Sequence, residues 1–254
     1  MPKKSGKKSF LLLTALVLVL TALGIYANAW KDKCKVAAVV VEGNRILADK
    51  EIVALAKVPM NTLLFDLDLF AIEQRVLQNE YMKSVAVHRD LPDRIRISVE
   101  ERVPVAALLL EKLYYLDADG YVLPAVQSRH VFDLPVLTGV LDGREFSPGK
   151  PIRNKDVLEA LRVLSLARQV DDDVFRNISE ICVASGKDFV FYTAEFGVPV
   201  ILGREEIGIQ LVKFESFWKS VVARQGADRL QYIDLRFEDQ VVVRWNHNDG
   251  DVHS

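Results

Sequence analysis

Residues 84–101 read SVAVHRDLPDRIRISVEE. Apolar and polar residues alternate on both sides of Leu91-Pro92-Asp93. Val85 and Val87 make one stripe, and Ile95, Ile97 and Val99 make another. A period of two puts each stripe on one face of a β-strand. Leu91-Pro92-Asp93 supplies the turn. The stretch is therefore two strands, and the segments around it decide what kind of domain they belong to.

Moving toward the N-terminus, LDLFAIEQRVLQ (67–78) has a helical period, with Asp68 as N-cap and Leu69, Ile72, Val76 and Leu77 along one face. ADKEIVALAKV (48–58) is a shorter helix; Ile52, Leu55 and Ala56 share a face and Pro59 stops it. KVAAVVVEGN (35–44) is a β-type run ended by Gly43-Asn44. The order is β-α-α-β-β, closing near Arg102-Val103-Pro104. Arg94 and Arg96 alternate with Ile95 and Ile97, which points them to solvent.

Further upstream, Lys3, Lys4, Lys7 and Lys8 precede an uncharged run from Phe10 to Ala29. At about 1.5 Å per residue this run just crosses a hydrocarbon core of about 30 Å. Ala27-Asn28-Ala29 has the form of a signal-peptidase site, but the run exceeds an ordinary signal-peptide core of about 7–15 residues. The reading is an uncleaved signal anchor with Tyr26 and Trp30 in the outer interfacial belt. Lysines before the span, against Lys31, Lys33 and Lys35 offset by Asp32 after it, favour the N-terminus inside.

Downstream a second unit begins. YYLDADGYVLPA (114–125) is a hairpin turning at Asp117 to Gly120. A looser stretch with Pro135, Gly139, Gly143, Pro148 and Pro151 follows. KDVLEALRVLSLARQ (155–169) is a helix burying Val157, Leu161, Leu164 and Ala167. Strands ISEICVA, DFVFYTA and PVILG come next, punctuated by Gly186, Gly197 and Gly203. A helix then presents Leu211, Phe214, Trp218 and Val221. YIDLRFEDQVVVRW (232–245) ends the unit as two strands around Glu238-Asp239-Gln240. This inventory predicts a largely antiparallel sheet covered by helices.

The chain has 254 residues, 50% hydrophobic and 27% charged, with a formal net charge of −2. That is material for one or two cores and gives no electrostatic case for nucleic acid. Cys34 and Cys182 lack metal-ligand spacing and read as reduced thiols. His88, His130, His247 and His253 are scattered, and no hydrolase, nucleotide or metalloprotease motif occurs. Asp117-Ala118-Asp119-Gly120 resembles the start of a calcium loop, but Ser128 stands where the closing glutamate is required, so a hairpin turn is the reading. Asp171-Asp172-Asp173 reads as a solvated acidic loop and Asn177-Ile178-Ser179 as a chance sequon. No residue takes a catalytic role, and no cofactor, metal or small-molecule substrate is expected.

Three features fall in order: a basic tail with one span; VEGN, two helices and DRIRISVEERVPVA; and the ending YIDLRFEDQVVVRW. Together they resemble the FtsQ/DivIB family of bacterial cell-division proteins. The resemblance implies an α+β fold: a single N-terminal transmembrane helix, a POTRA-like β-α-α-β-β domain, then a mainly antiparallel β domain with covering helices. The expected organisation is a cytoplasmic tail (1–9), a signal anchor (10–29), linker and POTRA domain (30–105), β domain (106–246) and polar tail (247–254). The short tail after Trp245 departs from some Gram-positive relatives and favours a Gram-negative-type envelope.

In the final stretch, Ile233, Leu235 and Phe237 are expected on one face, and Tyr232, Asp234 and Arg236 on the other. Val241, Val243 and Trp245 share a face opposite Val242 and Arg244. A chain-terminal strand unblocked by proline or lysine reads as a docking edge for strand addition. The resemblance implies the same, since in similar proteins this strand pairs with the bitopic division protein FtsB, which acts with FtsL. The expected contact residues are Arg236, Phe237, Val241, Val242, Val243, Arg244 and Trp245. The expected protein is a non-enzymatic scaffold of the inner membrane at the septum. Its domains lie in the periplasm, and it meets other division proteins through the POTRA-like domain and helps control septal peptidoglycan synthesis. The alternative is a POTRA-containing component of envelope transport or outer-membrane assembly. An envelope hydrolase would need a clustered acid, nucleophile or metal site.

Overall fold

The computed structural model describes residues 6–110, 112–125, 132–139, 146–183 and 188–246, and the side chains of the first helix from Phe10 to Tyr26. His130, Gly143, Gly186, His247 and His253 lie outside the described residues, as do the side chains of Ala27, Asn28, Ala29 and Trp30. The chain divides into Met1–Glu101 and Arg102–Ser254.

In the first unit, helix α1 covers Gly6–Lys33. Its large apolar side chains between Phe10 and Tyr26 are all exposed. Both threonines turn their hydroxyls back onto the helix. Thr14 Oγ1 donates to the carbonyls of Phe10 and Leu11 at 3.1 and 3.0 Å, and Thr21 Oγ1 to those of Val17 and Leu18, both at 2.9 Å. Among the described residues, no helix is long and apolar enough to cross a membrane; the described side chains of α1 cover only about 25 Å of axis.

Strand β1 (Ala38–Glu42) leads to helices α2 (Asp49–Ala56) and α3 (Leu69–Leu77), then strands β2 (Met82–Asp90) and β3 (Arg94–Glu101). The sheet order is β1-β3-β2, with β1 parallel to β3 and β2 antiparallel to it. A parallel neighbour demands a crossover, and the two helices provide it. Asp68 accepts a hydrogen bond from the Ala71 amide at 3.0 Å, fixing the start of α3. Ile52 and Ala56 of α2, Ile72 and Val76 of α3, and Ile95 and Ile97 of β3 are fully buried. Leu77 differs from expectation: it is exposed, and the buried side of α3 is carried by Ile72 and Val76, one turn apart. Arg96 lies on the face away from Ile95 and Ile97, as expected, and there bridges Asp90, at 2.8 Å, and Glu42. Its hydrogen bond to Asp90, and then the charge of Glu42, raise its pKa.

The VEGN turn has two physical requirements. Gly43 sits at φ 92°, and a Cβ there would meet the Val99 carbonyl oxygen at 2.1 Å, so only glycine fits. The next amides, of Arg45, Ile46 and Leu47, donate to the Glu101 carboxylate at 2.7, 2.7 and 2.9 Å.

The second unit holds strands β4 (Pro104–Leu109), β5 (Leu113–Asp117), β6 (Val122–Pro124), β7 (Val136–Thr138), β8 (Ile178–Cys182), β9 (Phe189–Thr193), β10 (Pro199–Leu202), β11 (Leu230–Asp234) and β12 (Val242–Trp245). They form one nine-stranded sheet in the order β12-β11-β10-β9-β8-β7-β4-β5-β6. The sheet is more mixed than expected. The hairpins β4–β5, β5–β6, β8–β9, β9–β10 and β11–β12 are antiparallel. The pairs β4–β7, β7–β8 and β10–β11 are parallel. Helix α4 (Lys155–Val170) precedes β8, and α6 (Ile207–Phe217) lies between β10 and β11. Both contribute to the core. Val157, Leu161, Leu164 and Ala167 of α4 and Leu211 and Phe214 of α6 are buried with Phe189, Phe191 and Ile233 of the sheet.

After α6 the backbone makes a π-helical turn, Trp218–Val222. The wider turn rotates the following positions, so Val222 is buried where Val221 was expected, and Val221 is half-buried. Asp171-Asp172-Asp173 is not a loop but the start of the short helix α5 (Asp172–Arg176), with Asp171 accepting from the Asp173 amide at 2.9 Å. Lys219 donates to Asp171 at 2.6 Å, and this bond comes first among the causes that lower the pKa of that carboxyl. Asp117 is committed to its turn. Its carboxylate accepts from the amides of Asp119 and Tyr121 and pairs with Arg102 at 2.7 Å. Cys34 and Cys182 are free thiols.

The outer side of β6 is already occupied. The Val122 amide donates to the Lys150 carbonyl at 3.0 Å, and the Gly149 amide to the Val122 carbonyl at 2.8 Å. Pro124, which has no amide hydrogen, ends the strand.

Candidate functional site: the free edge of the large sheet

β12 is the terminal strand of the sheet at the opposite end, hydrogen-bonded on one side only, to β11. The register sets Val242 opposite Asp234, Val243 opposite Ile233 and Arg244 opposite Tyr232. Just beyond the strand, the Asn246 amide donates inward to the Arg229 carbonyl at 2.8 Å. Backbone groups of a strand alternate sides. Arg244 and Val242 therefore point their amides inward, and Val243 and Trp245 point theirs to the free edge. The side chains of Val241, Val243 and Trp245 pack against the core of the unit, while Arg244 is exposed. The edge is thus anchored by three apolar side chains while the backbone of two of them stays open.

The approach to β12 departs from expectation. β11 stops at Asp234, not at Phe237, because the side chain of Asp234 captures the chain just beyond it. Arg236 returns onto that carboxylate, Nε to Oδ1 at 2.9 Å and Nη2 to Oδ2 at 2.6 Å, and its backbone amide donates to Oδ1 at 3.2 Å. Nη1 reaches Asp188 at 2.9 Å. Asp234, expected on the open face, is buried under this guanidinium. Its hydrogen bond from Arg236 holds the Asp234 carboxyl below its ordinary pKa, and the same bond, followed by that to Asp188, raises Arg236.

Leu235 stays in the core, but Phe237 leaves it and is 44% exposed. Its backbone is held from the other side. Lys213 Nζ on α6 donates to the carbonyls of Leu235, Phe237 and Glu238 at 3.2, 2.6 and 3.2 Å. Of the residues expected at this site, Val241 to Trp245 form the edge and Arg236 and Phe237 form its approach. Lys213, Asp188 and Asp234 complete the approach and were not anticipated. Nothing in the residues flanking Lys213 marks it, since its role depends on a loop 22 to 25 residues away.

An unpaired strand edge offers the backbone groups that strand addition requires. Among the described residues, no group of His, Cys, Asp and Glu side chains is placed to hold a metal ion.

Two family models together match residues 34–243. Residues 34–102 match the POTRA domain, FtsQ-type. Residues 103–243 match FtsQ/DivIB, C-terminal related. The chain is 34% identical over 251 residues to the cell division protein FtsQ of Rhodothermus marinus, covering 95% of this chain and 89% of that protein. It is 30% identical over 213 residues to the FtsQ of Syntrophotalea carbinolica, covering 84% and 74%. Against the FtsQ of Neisseria meningitidis it is 26% identical over 235 residues, covering 92% of each.

Proposed function

We propose, from the premise that this chain belongs to the FtsQ/DivIB family of cell-division proteins, that it is a scaffold that captures a partner by strand addition at β12. The observation that carries this reading is the outward-facing backbone of Val243 and Trp245 on a strand with a single neighbour. The incoming strand belongs to a bitopic division protein of the FtsB type, acting with one of the FtsL type. Its backbone bonds supply affinity, and Arg236, Phe237, Val242 and Arg244 supply side-chain contacts. The first unit serves as a second protein-docking module. The outcome of assembly is control of septal peptidoglycan synthesis.

In this reading α1 is an uncleaved inner-membrane anchor, with the basic tail in the cytoplasm and both folded units in the periplasm. Support comes from a helix apolar all round, with both threonine hydroxyls satisfied by its own carbonyls. Anchoring also raises the effective concentration of partners held in the same bilayer. Detection of a mature N-terminus at Trp30 by mass spectrometry would overturn the anchor.

Hydrogen exchange tests the docking edge. The amides of Val243 and Trp245 exchange freely in the isolated protein and become protected when the partner's periplasmic segment is added. Protection elsewhere, with these two unchanged, would place the contact on another surface.

A further inference from the structure

The end of the first unit nearest α1 is built from two loops, and both display apolar side chains. α1 ends at Lys33, and Cys34 is already buried, so no spacer separates the helix from the folded unit. The segment after α2 is bonded directly to the residues leaving the helix. The Leu64 amide donates to the Cys34 carbonyl at 2.8 Å, Val36 donates to Thr62 and Asn61 to Val36, each at 2.9 Å. The β2–β3 turn arrives at the same end, because the Ala37 amide donates to the Asp93 carbonyl at 2.8 Å. Arg89 ties the helix-side loop in place, with Nε on the Leu64 carbonyl at 2.7 Å and Nη2 on that of Leu67 at 2.8 Å.

These two loops leave large apolar groups uncovered: Met60 is 49% exposed, Phe65 60% and Leu91 54%. Their height above the bilayer is bounded by the chain. If the apolar run ends at Ala29, the remaining helix to Lys33 rises about 6 Å. The polar headgroup layer on one side is roughly 5–7 Å thick. The residues bonded to Cys34, Val36 and Ala37 therefore sit where that layer ends. Lys35, Lys57, Asp66 and Arg94 lie on these same segments, so the apolar side chains are flanked by a small basic excess that suits an anionic headgroup layer.

We propose that Met60, Phe65 and Leu91 form an apolar rim that seats the first unit on the phospholipid interface of the bilayer carrying α1. The proposal rests on the anchor reading above and is independent of the docking edge. The rim fixes the tilt of the first unit on the membrane, which a single helix connection alone does not.

The test uses the full chain, reconstituted alone in nanodiscs of phosphatidylethanolamine and phosphatidylglycerol, with the photoreactive residue p-benzoylphenylalanine placed at one position at a time. Position 65 and position 91 report the rim. Position 26 reports the anchor. Position 45, exposed past the far end of β1, is the control. The expected result after irradiation is a mass shift of one phospholipid at positions 26, 65 and 91 and none at 45. A lipid adduct at 26 with none at 65 or 91 overturns the rim and leaves the anchor standing. Absence of an adduct at 26 removes the anchor, and the rim with it. Cross-linking of 65 or 91 to a second copy of the chain, in place of lipid, also overturns the proposal.

Discussion

Val243→Pro and Val242→Pro are neighbouring changes in one strand with opposite expected effects. The inward bond from the Asn246 amide to Arg229, at 2.8 Å, sets the parity of β12. The open edge then offers the amide and carbonyl of Val243 and of Trp245, about four backbone bonds to an added strand. At about 1 kcal/mol net each, they contribute roughly 4 kcal/mol to docking. Proline at 243 removes one donor, and its ring crowds the next bond. The expected loss is about 2 kcal/mol, or roughly 30-fold in Kd. Stability should fall less than for the 242 change, by the Val243 packing that the ring does not replace, because no internal ladder bond is lost. Proline at 242 instead removes an inward donor and should destabilise the second unit by about 1–3 kcal/mol. Calorimetric titration with the periplasmic segment of the FtsB-type partner reads the first effect, and thermal unfolding followed by circular dichroism reads the second. A folded Val243→Pro protein with unchanged affinity would refute strand addition at this edge.

Phe237→Ala should weaken the same titration by about 2 kcal/mol without lowering Tm, since the exposed ring is available to the partner. Lys213→Met removes the ammonium shared by three loop carbonyls; faster hydrogen exchange from residue 235 to 241 and several-fold weaker docking are expected, and an unchanged exchange pattern would count against a positioning role. Glu101→Ala strips the acceptor from three amides and should cost the first unit about 2–4 kcal/mol in denaturant unfolding. The Asp234 carboxyl has its pKa lowered by folding, so the order it provides is complete above its unfolded value near about 4 and is lost as pH falls through the lower folded value. Docking measured against pH should be flat through neutrality and fall only in acid, and Asp234→Asn should weaken it at neutral pH.

Much of the fold was readable because short-range patterns carry it. The alternation in SVAVHRDLPDRIRISVEE, the cap at Asp68 and the buried stripe of α4 each depend on neighbours within a few residues. Pairing partners were not readable. A period of two says which face of a strand is apolar but not which strand lies beside it, so the parallel contacts of β7 with β4 and β8 had no sequence signature. The end of β11 at Asp234 was hidden for a related reason. Arg236 prefers that carboxylate and Asp188, 48 residues away, over continuing the alternation that would have buried Phe237. The π-turn at Trp218–Val222 likewise breaks a helical count that the residues themselves do not interrupt. At the edge, the apolar character of Val241 to Trp245 was legible. Which amides face out was not, because one bond, from Asn246 to Arg229, decides the parity.

The two ends of the large sheet are unlike. At β6 the segment around Gly149 and Lys150 and the proline at 124 occupy the positions a further strand would need, whereas β12 ends in open backbone. Such a sheet has a valence of one. If β12 takes a strand, growth of this sheet stops there, because among the described residues the outward backbone groups of Val122 on the far side are already bonded. Two copies meeting through β12 would close as a pair and could not lengthen through this sheet. On the proposed function, many copies held close together would therefore not polymerise through this sheet, and each large sheet would take one added strand or none.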